Sequence, residues 1–228
     1  MKLLLTSNGL SNDSIANAFA ELIGKDPKEA KVAFIPTASH ASRGNKGWLI
    51  DDMHRVRERG YTVDVIELTA LEPAVIKKAL EEADAIFVGG GSTFYLSYWM
   101  QKTDVFEIIP KLLETRVYAG ISAGSILAGI QLVPSSALDN VQEFIDDDYY
   151  EKAVTAEGSA KPLNLVNLVF RSHLNSEAFP KVRKDVLEQI VDKLPAPLYA
   201  LDDNSALKII DGNIEAVSEG EWIKLDPK

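Results

Sequence analysis

No cysteine occurs anywhere in the chain. Disulfides, thiolate metal clusters and thiol nucleophiles are thereby excluded, so any covalent chemistry has to use oxygen or nitrogen. Histidine is scarce as well: the 228 residues include three, scattered with no ligand spacing, and no metal site is expected. The formal net charge is −10. Only "HRVRERG", from His54 to Gly60, concentrates basic residues, and it suits a solvated helix face better than a phosphate-binding track, which argues against nucleic-acid partners. No apolar run approaches the roughly eighteen residues that span a bilayer. The opening "MKLLLTSNG" is too short for the apolar region of a signal peptide, so a cytoplasmic protein without membrane contact, working without a cofactor, is the expectation.

What is present is an alternation of short apolar runs with helical periodicity. Leu3 to Thr6, Val32 to Pro36, Val63 to Glu67, Ala85 to Val88 and Val117 to Ile121 read as strands. Between them Ser14 to Ile23, Trp48 to Arg59, Pro73 to Glu82, Thr93 to Gln101 and Val105 to Thr115 read as helices, with Pro73 in a first turn and Asp104 as a cap. This predicts a single α/β domain over residues 1–228, a three-layer sandwich with a mostly parallel sheet. The polar "TASHASRGNKG" from Thr37 to Gly47 reads as a mobile connection at a strand's carboxyl end, where such sheets carry their sites. Further on, "LVNLVF" reads as a buried strand, Ala178 to Lys193 as a helix with Pro180 in its first turn, and the remainder as short strands with a hairpin at "DGN".

Two glycine motifs carry the chemistry. Gly89-Gly90-Gly91-Ser92 lacks the Lys-Ser/Thr of a P-loop and the spaced glycines of a dinucleotide site. It is either a tight strand-to-helix turn needing positive φ or a place where free backbone N–H groups meet a ligand. Gly120-Ile121-Ser122-Ala123-Gly124 fits G-x-S-x-G between an apolar strand and an apolar helix, the context of a nucleophile elbow. Its glycines leave room for a strained serine beside the neighbouring strand and helix.

A serine hydroxyl needs a base. His54 falls in the basic helix and His40 in the polar connection, whereas His173 ends a buried strand that can hold an imidazole in place. The base in turn needs a carboxylate. Asp203, in "ALDDNSAL" after another strand, is the first choice; Asp202 would point the other way, and Asp139 is the rival. A turn whose side chains cap their own backbone is the plain alternative for the aspartate pair.

Together "VGGGSTFYL", "GISAGSILAG", the strand-end His173 and "YALDDNSAL" resemble the peptidase E family of serine peptidases, the aspartyl dipeptidases related to cyanophycinase. The resemblance runs from about Leu3 to Gly220. It implies a flavodoxin-like or class I glutamine-amidotransferase-like fold and hydrolysis of dipeptides with an N-terminal aspartate. Carried over by position, Ser122 is the nucleophile, His173 the general base, and the N–H groups of Ala123 and of Gly90 or Gly91 the oxyanion hole. Relatives place an acid, often glutamate, where this chain has Asp203; a second acidic position matches Asp139 only loosely. Ser92 stands where asparagine is common and Ser172 where proline is.

An aspartyl side chain calls for a cation, best a bidentate arginine. Arg171 and Arg183 flank His173 and, with Ser92 and Thr93, are the candidate substrate contacts. The substrate is then a small peptide and the protein a monomer or homodimer. Two other readings differ in kind: a non-catalytic binding protein on the same scaffold, which the intact serine and histidine oppose, and a cyanophycinase-like hydrolase. The acidic run Asp146 to Asp148 would repel that enzyme's polyacidic substrate.

Overall fold

The computed structural model describes residues 1–132 and 160–228. Strands β1 (Lys2–Thr6), β2 (Lys31–Ile35), β3 (Thr62–Val65), β4 (Ala85–Val88) and β5 (Val117–Ile121) pair in parallel in the order β3-β2-β4-β5-β1. Beyond β1 the sheet continues antiparallel through β8 (Ser205–Ile210) and β9 (Asn213–Ser218). The turn between them is the "DGN" hairpin, with Asp211 and Gly212 both at positive φ.

Period-two alternation sends successive side chains to opposite faces of this sheet. Leu3, Leu5, Ala33, Ile35, Ile86 and Val88 join one apolar cluster, while Leu4, Val32, Phe34, Ala85 and Phe87 join another. Helices α3 (Pro73–Glu82), α4 (Thr93–Lys102), α5 (Val105–Leu112) and α6 (Ala123–Ala128) cover the first face through Ile76, Leu96, Ile109 and Leu127. Helices α1 (Asp13–Ile23) and α2 (Gly47–Glu58) cover the second through Phe19, Leu22, Leu49 and Val56. The expected three-layer α/β arrangement is the one that forms.

A second sheet, in the order β10-β7-β6, joins β6 (Val169–Arg171), β7 (Leu198–Leu201) and β10 (Trp222–Leu225). Strands β6 and β7 run side by side in parallel, so both deliver their carboxyl ends to the same edge.

Several local expectations are corrected. The helix expected from Ala178 to Lys193 shrinks to α7 (Lys184–Glu188) and a 3-10 turn at Val191–Lys193. Pro180 would have been tolerated in a first turn, but the Arg183 guanidinium bonds the carbonyls of Ser176, Phe179 and Val182, holding the preceding stretch in turns. In "LVNLVF" only Val169 and Phe170 are strand; the residues before them bond the end of α6, Leu163 N–H to Leu127 and Leu165 N–H to Ala128. Residues Thr37–Ala41, expected to be mobile, form a 3-10 turn whose Thr37, Ala38 and Ser39 are buried. Asp104 starts α5 at positive φ but its side chain makes no cap bond.

Candidate active site

Ser122 occupies the bend between β5 and α6 with φ 47° and ψ −103°, a strained conformation for a residue with a Cβ. The bend is possible because of its flanking glycines. A Cβ on Gly124 would collide with the carbonyl oxygen of Val88, and one on Gly120 would lie 2.6 Å from the backbone nitrogen of Ser125. The helix thus packs against the sheet closely enough to hold the Ser122 side chain outward over the strand ends.

From the edge of the second sheet come the other two groups. His173 follows β6 and Asp203 follows β7. His173 Nε2 lies 3.0 Å from Ser122 Oγ, and Nδ1 lies 2.7 Å from Asp203 Oδ1. An ionised Asp203 makes Nδ1 the protonated nitrogen, which leaves Nε2 free to accept from the serine hydroxyl. Burial pushes the Asp203 carboxyl up, but the hydrogen bond and charge of His173, the hydrogen bond from Ser7 and the charge of Arg55 outweigh it and hold the group below the usual aspartate range. His173 itself sits at φ 63°, its ring stacked on Phe179 at 4.4 Å and 8°. Its backbone N–H donates to Ser7 Oγ at 2.8 Å.

Asp202 takes the plain role. Its Oδ1 accepts from Asn204 N–H and Ser205 Oγ and its Oδ2 from Glu221 N–H, so this side chain ties the turn together while its neighbour faces the histidine. Asp139 and the run Asp146 to Asp148 lie outside the described residues.

The glycine turn abuts the serine. A Cβ on Gly90 would lie 3.5 Å from Ser122 Cβ, and one on Gly91, at φ 132°, would run into the carbonyl of Ala38. The neighbouring backbone bonds are made on either side of this pair, by Gly89 N–H to Ile35 and Ser92 N–H to Ala38. Ser172 Oγ lies 3.0 Å from Ser122 Oγ, so the hydroxyl that replaces the expected proline touches the candidate nucleophile directly.

These groups open on a cavity of about 320 Å³ whose walls include Ser7, Asp52, Gly90, Gly91, Ser122 and His173. Thr93 and Arg171 also line it, and Arg171 is only 2% exposed. Ser92 does not line it: its hydroxyl caps α4 by accepting from Tyr95 N–H. Arg183 is held on loop carbonyls, His40 pairs with Glu67 at 2.7 Å, and His54 pairs with Glu58 on the surface of α2.

Sequence reasoning missed Ser7, Asp52 and Phe179. Ser7 directly follows β1, and the rule that open α/β sheets bind at strand carboxyl ends would have pointed to it. Asp52 was hidden inside a helix that reads as polar and solvated. Phe179 was assigned to a helix that does not form.

The model of peptidase family S51 matches residues 3–217. Among similar proteins, peptidase E of Streptomyces coelicolor is 27% identical over 220 residues, covering 92% of this chain and 81% of its own. A peptidase of Pasteurella multocida without a characterised activity is 25% identical, covering 80% and 85%. In fold, a crystal structure of a candidate peptidase E from Listeria monocytogenes superposes with TM-score 0.77 at 21% identity, covering 96% of this chain and 98% of its own. A peptidase from an acI-B1 actinobacterium does so with TM-score 0.68 at 19% identity, over 99% and 94%. A family match over nearly the whole length, on a chain whose elbow serine lies within reach of a histidine and a carboxylate, leads to one assignment: the protein belongs to peptidase family S51.

Proposed function

We propose that this serine peptidase is a dipeptidase that releases an N-terminal aspartate through an acyl-enzyme. The observation that carries the reading is the continuous chain Ser122 Oγ to His173 Nε2 at 3.0 Å and His173 Nδ1 to Asp203 Oδ1 at 2.7 Å, opening on a cavity that also holds Arg171. Ser122 Oγ attacks the scissile carbonyl carbon while His173 Nε2 takes its proton. The oxyanion that forms is held by the N–H groups of Ala123 and of Gly90 or Gly91. Collapse breaks the C–N bond, and His173 returns the proton to the departing amine. Water then attacks the acyl ester with His173 again as base, freeing Ser122 and the first amino acid. Asp203 holds the imidazole in the required tautomer and stabilises its cationic form.

Arg171 supports the aspartyl preference. Arg171 is buried and lines the cavity, where a side-chain carboxylate of the substrate would gain a charge-assisted bond. The cavity's volume of about 320 Å³ suits a short peptide rather than a polymer.

The test is a screen of the purified protein against dipeptides differing only in the first residue, with Ser122→Ala as the blank. Aspartyl dipeptides are expected to turn over fastest and the blank to lose at least a thousandfold, roughly what removal of a triad member costs. A blank within tenfold of the parent overturns the serine mechanism, and a flat profile across first residues overturns the specificity.

A further inference from the structure

Asp52 is the one carboxylate among the described residues that line the cavity. It is 3% exposed and shares the inward stripe of α2 with Leu49 and Val56, spaced three and four residues apart. That stripe packs on the core, and an aliphatic residue there would stabilise the fold, whereas a buried charge costs stability unless well paired. The pairing available to it is weak. Arg55 Nη1 approaches Asp52 Oδ1 only to 3.4 Å and is shared with the carbonyl of Asn8 at 3.1 Å. Burial, with the adjacent Asp51 adding and Arg55 opposing, raises the carboxyl to about 7. A core position held by a poorly paired acid, facing the same cavity as Ser122, is the pattern expected of a group kept for a ligand.

We propose that Asp52 anchors the free α-ammonium group of the substrate's first residue. This rests on the peptidase reading given above. In an acyl-enzyme on Ser122 the α-nitrogen is a single carbon from the carbonyl under attack, so its anchor has to belong to the same small cavity. Arg171 and His173, the basic groups among the described residues that line the cavity, cannot take an ammonium, and Asp52 can. Its arrival pairs a charge that the free protein holds at a cost. A blocked or internal peptide nitrogen brings no charge, which confines cleavage to the first peptide bond.

The experiment uses the full chain and three probes. A fluorophosphonate reports the reactivity of Ser122, whose oxygen attacks phosphorus and expels fluoride, without any amino group, and L-aspartyl-L-leucine and its N-acetyl derivative differ only at the nitrogen. The parent is expected to cleave the free dipeptide at least a hundredfold better in kcat/KM. Asp52→Asn should raise KM for the free dipeptide at least tenfold, change kcat by less than about threefold, reduce the preference over the acetylated peptide to below tenfold, and leave labelling of Ser122 at the parental rate. Intact labelling with an unchanged KM in Asp52→Asn, or a parent that cleaves both peptides equally, overturns the anchor alone. Absence of Ser122 labelling in the parent overturns the peptidase reading and the anchor with it. The comparison of the two peptides on the parent tests the need for a free ammonium without any variant, and Asp52→Asn assigns that need to Asp52.

Discussion

Ser7 Oγ donates to Asp203 Oδ1 over 2.7 Å, the same oxygen that meets His173 Nδ1, and accepts the backbone N–H of His173 at 2.8 Å. One buried hydroxyl at the end of β1 therefore ties together two strand ends of the other sheet. We expect Ser7→Ala to lower kcat roughly tenfold to a hundredfold by loosening both groups, with KM little changed. Because Ser7 is one of the groups holding the Asp203 carboxyl down, its titration by NMR should move upward in the variant. A lower Tm with an unmoved titration would make Ser7 merely structural.

Asp202 and Asp203 are adjacent but bonded to different things, and the two asparagine variants should separate accordingly. Asp203→Asn removes the charge that sets the His173 tautomer, and kcat should fall roughly a thousandfold or more with Tm close to the parent. Asp202→Asn turns one carboxylate oxygen into an NH2 donor, so either Glu221 N–H or the pair Asn204 N–H and Ser205 Oγ loses its acceptor, and Tm should fall while kcat stays within a few fold. The reverse pattern would give the orienting role to Asp202.

Glycines differ in what surrounds them. A Cβ on Gly124 would strike the Val88 carbonyl, while one on Gly212, at φ 85°, meets nothing within 4 Å. Overpacking of a core backbone contact costs about 3 kcal/mol, which for a chain of this size lowers Tm by roughly 6–12 °C. Gly212→Ala suffers only its backbone conformation, about 1 kcal/mol and roughly 2–4 °C. Equal melting shifts would refute the packing account of the elbow.

Asp52 makes a pH-dependent prediction independent of substrate. Its folded pKa of about 7 lies above the ordinary aspartate value, so the folded state holds the proton more tightly than the unfolded chain. Stability is then lost as pH rises from the unfolded value, near 4, towards 7, and the full cost is present above 7. Asp52→Asn should raise Tm by several degrees at pH 8 and leave it unchanged below pH 4. A Tm difference that is constant across this range would show that Asp52 ionises normally in the folded protein.

Local chemistry made part of this molecule legible in advance. The alternation of Leu3, Leu4 and Leu5 between the two clusters follows from the pleat, and the need for glycine at 120 and 124 follows from the room a strained serine requires. That His173 lies just past a strand end could be read from the apolar run before it. Choosing Asp203 over Asp202 rested on the alternation of side-chain direction along a strand, and what each carboxylate bonds is decided by the parallel pairing of β6 with β7 and by the turn that engages Asp202. The contact of Ser7 with Asp203 joins residues 196 positions apart, beyond the reach of any local pattern. Arg171 and Arg183 look alike in the chain, yet one ends a buried strand at the cavity and the other caps loop carbonyls. The expected helix from Ala178 gave way because Phe179 is stacked on His173 and Arg183 binds the carbonyls around it. Asp52 read as one more charge on a solvated helix; only the packing of α2 against the sheet turned it inward, because burial depends on what a helix face meets and not on its composition.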